Sequence, residues 1–299
     1  MKKYFNSSAK RSVFVALIAL VLAVFAAFGA GCVFGGSILG LVNENDYDET
    51  GYEIGDRVLK ESFDEIEIHW TIGKVTVVCA KEGFSVEEKE GLTEDEQMRS
   101  KVENGKLTVR FWKPLYSAAK LSGDKELIVT VPENLKKISI SSVSAKVVSQ
   151  NLSATEIDIE TVSGAVDIEK VVATSADFSS VSGGISVKNL IAENAGLDST
   201  SGSLYAGGVQ AKKLSLGSVS GKITAELEAL ENLEAESVSG FVNVTLSENG
   251  GVVKHSTTSG GFSTDLQYKN EGGKLVFGDG ECKIFIETTS GSVRINGRG

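Results

Sequence analysis

Thr161-Val162-Ser163-Gly164-Ala165-Val166-Asp167-Ile168 returns nineteen residues later as Ser180-Val181-Ser182-Gly183-Gly184-Ile185-Ser186-Val187. It returns again as Ser199-Thr200-Ser201-Gly202-Ser203-Leu204-Tyr205-Ala206. The tripeptide at its centre recurs around Ser144, Ser163, Ser182, Ser201, Ser220, Ser239, Ser259 and Ser290. These serines are spaced 19, 19, 19, 19, 19, 20 and 31 residues apart. Gly164, Gly183, Gly202, Gly221, Gly240, Gly260 and Gly291 follow seven of them, and Ala145 follows Ser144. Thr71-Ile72-Gly73 is a degenerate further copy, so the count comes to nine coils. A fixed period of this kind marks a stacked repeat, in which each unit buries its apolar face only against its neighbours.

Alignment on the serine shows which side chains point inward. Six residues before it stand Ile138, Ile157, Ala176, Ala195, Leu214, Leu233, Val253 and Ile284. Four before it stand Ile140, Ile159, Phe178, Leu197, Leu216, Ala235, His255 and Ile286. Three after it stand Val147, Val166, Ile185, Leu204, Ile223, Val242, Phe262 and Val293, with a further, mostly apolar column two beyond. A spacing of two on either side of the turn is the period of a half-buried strand. The fold is therefore read as all-β, a β-solenoid of about 19 residues per coil, each coil being strand, tight turn, strand and short links. The corner glycine is expected to serve a positive φ. The Ser or Thr two before the central serine is expected to form a hydroxyl ladder that satisfies turn backbone groups.

Before the repeats, Lys2, Lys3, Lys10 and Arg11 are followed by an uncharged run from Ser12 to Asn43. About twenty apolar residues suffice to span a bilayer, and basic residues before the span place the N-terminus in the cytoplasm. The organisation expected is a cytoplasmic tail over 1–11 and one transmembrane helix over 12–42. A linker over 43–62 and the solenoid over 63–299 follow, with an insertion at about 79–137. Localisation is then a single-pass bacterial cell membrane protein with its C-terminal domain outside. Ala30-Gly31-Cys32 partly matches a lipobox, but Gly29 stands where that motif wants Leu. The first eleven residues hold four of the 30 Lys and Arg, so 43–299 carry 26 against 40 Asp and Glu, a net of −14. Such a surface repels nucleic acid and excludes a nucleic-acid function.

The Ser-Gly corners, the strand Leu127-Ile128-Val129-Thr130-Val131-Pro132 leading into the repeats and the N-terminal anchor together resemble the "putative adhesin" family of bacterial β-strand-repeat envelope proteins, over roughly Phe63 to Gly299. The resemblance implies a cell-envelope solenoid whose domain has no established function.

The sequence points to no catalytic, cofactor-binding or metal-binding residue. His69 and His255 fall several coils apart, and no histidine is placed to activate the serines. Cys79 and Cys282 are read as free buried thiols, eight strand spacings or about 38 Å apart. No column is consistently Asp, which argues against a calcium roll. Phe111, Trp112 and Tyr116 in the insertion are candidate partner-binding aromatics, set against a capping role. The function expected is non-catalytic: a membrane-anchored surface protein presenting an acidic solenoid for adhesion, envelope-stress or partner contacts, with an envelope protein or glycan as partner. A self-assembling scaffold joined through solenoid ends, as a homo-oligomer, and a polysaccharide-active β-helix enzyme are the alternatives. The Ser290 coil is expected at the exposed end, with Arg294 and Arg298 guarding its edge.

Overall fold

The structure is a computed structural model that describes residues 50–88, 94–111 and 125–298. The anchor predicted over 12–42 lies outside the described residues, as do Trp112 and Tyr116. Among the described residues no helix is long and apolar enough to cross a membrane.

The strands run β1 (Glu53–Ile54), β2 (Arg57–Val58), β3 (Glu65–Trp70), β4 (Lys74–Ala80), β5 (Ser85–Glu88), β6 (Arg99–Glu103), β7 (Lys106–Arg110) and β8 (Glu126–Pro132). Next come β9 (Leu135–Ser142), β10 (Lys146–Ser149), β11 (Leu152–Thr161), β12 (Val166–Ser180), β13 (Ile185–Ser199), β14 (Leu204–Ser218), β15 (Ile223–Ser237) and β16 (Val242–Leu246). The chain ends with β17 (Gly250–Thr257), β18 (Phe262–Thr264), β19 (Lys269–Glu271), β20 (Lys274–Gly278), β21 (Cys282–Thr288) and β22 (Val293–Gly297).

In the middle of the stack each coil pairs in parallel with the next, residue i against residue i+19, as Val166 with Ile185 and Ile185 with Leu204, with one slip where Val209 meets Leu227. The four inward columns are buried as their period requires, except at His255, Phe262 and Thr264 in the Ser259 coil, which are half-buried; Ile157, Leu197, Leu214 and Val244 are wholly inaccessible. The short links expected between strands are instead strand. β12, β13, β14 and β15 each run 15 residues unbroken, and the four-residue Ser-Gly corner completes the 19. Two successive outward residues, such as Glu169-Lys170 in β12, turn the strand without ending it. A further inward column follows, in which Leu152, Val171, Leu190 and Val209 are fully buried. Strict alternation breaks at that bend, so a period-two reading stops one wall short.

Two coils stack out of chain order. β7 and β8 pair in parallel with the outer edges of β3 and β4, while β9 and β10 pair with their inner edges. The insertion thus supplies an extra coil, followed by an antiparallel cap in which β6 lies on β7, β5 on β8, β1 on β6 and β2 on β5. At the other end β15 and β16 pair with β21 and β22, which pair in turn with β17 and β18. The Ser290 coil therefore lies between the Ser239 and Ser259 coils, and the Ser259 coil is the outer one. Its β17 is covered by β20, with β19 beyond. The described residues form ten stacked levels, not nine, and the expectation that the Ser290 coil is the exposed end is corrected. The chain skips one level and fills it last.

The corner glycines correct a second expectation. Gly164, Gly183, Gly202, Gly221, Gly240, Gly260 and Gly291 do not have positive φ. Each instead packs its Cα against the corner carbonyl of the neighbouring coil, so that a Cβ would lie well under 3.0 Å from that oxygen. The residues facing each other are Gly183 to Gly164, Gly202 to Gly183, Gly221 to Gly202, Gly240 to Gly221, Gly291 to Gly240 and Gly260 to Gly291. Glycine is required by the stacking distance. The hydroxyl two before each serine closes the corner: Ser180, Ser199, Ser218 and Ser237 accept from the N–H of Gly183, Gly202, Gly221 and Gly240 at 2.8 to 2.9 Å. Thr161 Oγ1 donates to Gly164 O at 2.7 Å and lies 3.0 Å from Ser180 Oγ.

Candidate binding surface

β7, β3, β9, β11, the second halves of β12 to β15, β21 and β17 form one continuous wall, and its outward residues are fixed by register. Asp158 stands beside Asp177, Asp177 beside Gly196, Gly196 beside Ser215 and Ser215 beside Glu234. In the next row Glu160 stands beside Ser179, Ser179 beside Asp198, Asp198 beside Gly217, and Gly217 beside Glu236 and then Glu287. Acids thus stand among residues of little or no side chain, with Asp158 against Asp177 and Glu236 against Glu287 as direct neighbours. The Asp177 and Asp198 carboxylates lean over Gly196 and Gly217, into the space a Cβ would need.

The shelf suppresses ionisation. Asp158 is raised above the ordinary carboxylate range by burial first and by the Asp177 charge second, with Lys137 opposing. Glu160 is raised by burial and then by Asp158. Asp177 is raised by burial, against a 3.3 Å hydrogen bond from Ser175 Oγ. A carboxyl with a raised folded pKa favours the folded state less once pH exceeds its unfolded value near 4, so these acids cost stability at neutral pH.

Toward the capped end the wall mixes acids with bases. Glu67 Oε2 accepts from Lys106 Nζ at 2.5 Å, and Oε1 lies 3.2 Å from His69 Nε2. These contacts hold the Glu67 carboxyl down to about 2, the His69 hydrogen bond contributing most. Because the folded pKa is depressed, the stabilisation exists above about 4.5 and disappears as pH falls toward 2. Glu67→Gln is therefore expected to lose about 2 kcal/mol near pH 6 and to match the parent near pH 2, read by denaturation at each pH. An equal deficit at both pH values would mean that the loss is one of packing.

Beside Glu67 a cleft of about 420 Å³ opens between β3, β7 and β6, with Tyr52 on its wall. Lys101 Nζ lies 4.8 Å and the Arg110 guanidinium 4.9 Å from the Tyr52 ring centroid. The Tyr52 hydroxyl is buried without a hydrogen-bond partner.

Of the aromatics proposed from the sequence, Phe111 is not a binding residue. It is 1% exposed and packs edge-on against Trp70, ring centroids 5.0 Å apart. Lys125 Nζ sits 4.3 Å from the Phe111 ring and 3.0 Å from Glu88, with both charged side chains almost wholly buried. Burial lowers the Lys125 pKa and raises that of Glu88. The corner serines are also structural: Ser163, Ser182, Ser201 and Ser239 direct Oγ to a carbonyl of the preceding coil at 3.3 to 3.4 Å. Cys79 and Cys282 are free. They lie seven levels apart instead of eight, because the Ser290 coil is drawn inward by one level. Cys79 is only half buried; burial pushes the Cys282 thiol up to about 11. His255 stacks on Phe262 at 4.4 Å in the outer coil. The acidic shelf and the Tyr52 cleft were missed because each is assembled across coils. The one signal was the recurrence of Asp and Glu five and three residues before successive serines.

The family model described as Toastrack DUF4097 matches residues 63–296. A crystal structure from Bacteroides fragilis, named as a "putative adhesin", aligns with TM-score 0.51 at 17% identity, covering 81% of this chain and 97% of that one. Another from Parabacteroides distasonis, named as a "putative lipid binding protein", aligns with TM-score 0.51 at 17% identity, covering 81% and 96%. At this identity the likeness is one of fold. No curated protein matches the sequence.

Proposed function

The chain belongs to the Toastrack DUF4097 family, and from that premise we propose that it is a non-catalytic, membrane-anchored surface protein that works by contact through its acidic wall. The observation that carries this reading is the retention of Asp158, Glu160 and Asp177 on adjoining coils, where burial and mutual repulsion raise their pKa values. Serine occupies the equivalent wall positions at Ser139, Ser141 and Ser179, so the fold has no need of acids there. Groups held at a cost in stability are candidates for function. The wall is also rigid, since each strand is hydrogen-bonded to neighbours on both sides and cannot adapt to its partner. A flat acidic surface of that kind suits a cationic envelope partner, approached by electrostatic steering. The name borne by the Bacteroides fragilis structure agrees with an adhesive role.

The test uses cells displaying the full chain. They are expected to be retained on a polylysine-coated surface. The triple variant Asp158→Asn, Glu160→Gln, Asp177→Asn should lose retention several-fold while melting no lower than the parent at pH 7. Equal retention by the variant would sink the wall as the contact surface, and turnover of any envelope glycan would sink the non-catalytic reading.

A further inference from the structure

We propose that the cleft beside Tyr52 is a binding site for a small anionic saccharide, a sugar bearing a carboxylate or phosphate group. The inference goes beyond the acidic wall and does not rest on it, since the cleft lies at the capped end of the stack and sets three cations among its acids.

Arg110 carries the case. Among the described residues its guanidinium makes no ion pair within 4.0 Å, although the chain bears a large excess of acids. It is held against the Tyr52 ring, which fixes its position without using its N–H donors. Five donors in a planar fork match a carboxylate or phosphate in two-point contact. Lys101 sits over the same ring and adds a second positive charge, although its Nζ also bonds Glu103 at 3.0 Å.

Beside these cations and Lys106 the lining also carries acceptors, the carboxylates of Glu65, Glu67 and Glu103 and the amide of Asn104. Glu65 makes no ion pair among the described residues and faces the cleft together with Asn104. Asn104 lies in the β6–β7 turn with φ of 52°. An anion alone would gain nothing from Glu65, whereas sugar hydroxyls can donate to it. Glu67 does not compete for Arg110, because Lys106 and His69 already hold it. The cleft volume of about 420 Å³ is near the small end for ligand sites, which favours one or two sugar units over an extended chain. The Tyr52 hydroxyl on the cleft wall is buried without a partner, which leaves it able to bond a ligand oxygen.

The experiment titrates the full chain, in detergent or nanodiscs, with digalacturonate, with its neutral counterpart digalactose, with a sugar phosphate and with inorganic phosphate, by calorimetry. An acidic sugar is expected to bind at least tenfold tighter than digalactose and than inorganic phosphate. The two acidic sugars separate carboxylate from phosphate recognition. Arg110→Gln should abolish binding and Arg110→Lys should keep part of it, because charge survives but the fork does not. Glu65→Gln should weaken the acidic sugars while leaving inorganic phosphate unchanged. Each variant is checked by its melting temperature, so that a loss of binding is not a loss of fold. Digalactose binding as tightly as digalacturonate, Arg110→Gln binding as the parent does, or no acidic sugar binding at millimolar concentration would each overturn the proposal.

Discussion

Gly202→Ala is expected to destabilise the solenoid by about 3 kcal/mol or more, a large effect for one methyl group. The Cβ would fall well inside 3.0 Å of the Gly183 carbonyl oxygen and 2.9 Å from Ser199 Oγ. Neither can retreat. The Gly183 carbonyl belongs to a corner fixed by hydrogen bonds on both sides, Ser182 N to Val162 O at 2.9 Å and Ser201 N to Val181 O at 3.0 Å. Ser199 Oγ is held by the Gly202 N–H at 2.9 Å. The coils must therefore part locally, and parting them breaks ladder bonds above and below. Gly184→Ala is the control one position along the neighbouring corner, where the nearest atom to a new Cβ is Ser203 O at an ordinary 3.5 Å. It should change stability by no more than about 0.5 kcal/mol. Thermal and urea unfolding of both variants reads the difference. Similar midpoints for the two would show that corner stacking tolerates a methyl group.

Deleting residues 282–299 should remove more than the coil they form. β21 and β22 fill the level between the Ser239 and Ser259 coils, and Ile284, Ile286, Val293 and Ile295 are at most 2% exposed. Burying four such aliphatic side chains contributes roughly 6 to 12 kcal/mol, comparable with the whole stability of many domains. Their loss leaves β15 and β16 without partners on one side, and β17 and β18 without any parallel neighbour. Hydrogen exchange should then show protection lost from residues 250–278, while the Ser163, Ser182 and Ser201 coils stay protected. Stability in a stacked repeat is largely a sum over neighbouring interfaces, so damage need not spread through the stack. If the coils stacked in chain order, the same deletion would strip only the outer level. Retained protection in β17 would refute the transposed order.

Much of the core was legible because the repeat reports it directly. Residues at fixed distances from a serine face the same direction in every coil, so Ile157, Ala176, Ala195 and Leu214 could be placed inside without knowing the fold. Leu190 and Val209 were missed although they are equally buried. Leu190 follows two successive outward residues and Val209 follows the Gly207-Gly208 bulge, and a period of two cannot pass through either bend. Phe111 was misjudged for a different reason. An aromatic beside a link read from sequence as a turn looks like an exposed platform, and only its position against Trp70 and Lys125 shows it to be core. The acidic shelf was least visible. Asp158 and Asp177 are distant in the chain and neighbours only through register.

The sequence by itself determined the period, the inward columns, the glycine at each corner and the hydroxyl that closes it, because these repeat in every coil. Tertiary structure alone decided the order of the levels, the reason for the glycines and the position of the charged surfaces. The physical cause is that all coils present nearly the same hydrogen-bonding edge. Local chemistry makes any coil an acceptable neighbour for any other, so only the connections and the ends select among the arrangements. The glycine at residue 202 is written in the chain, but the carbonyl that demands it belongs to another coil.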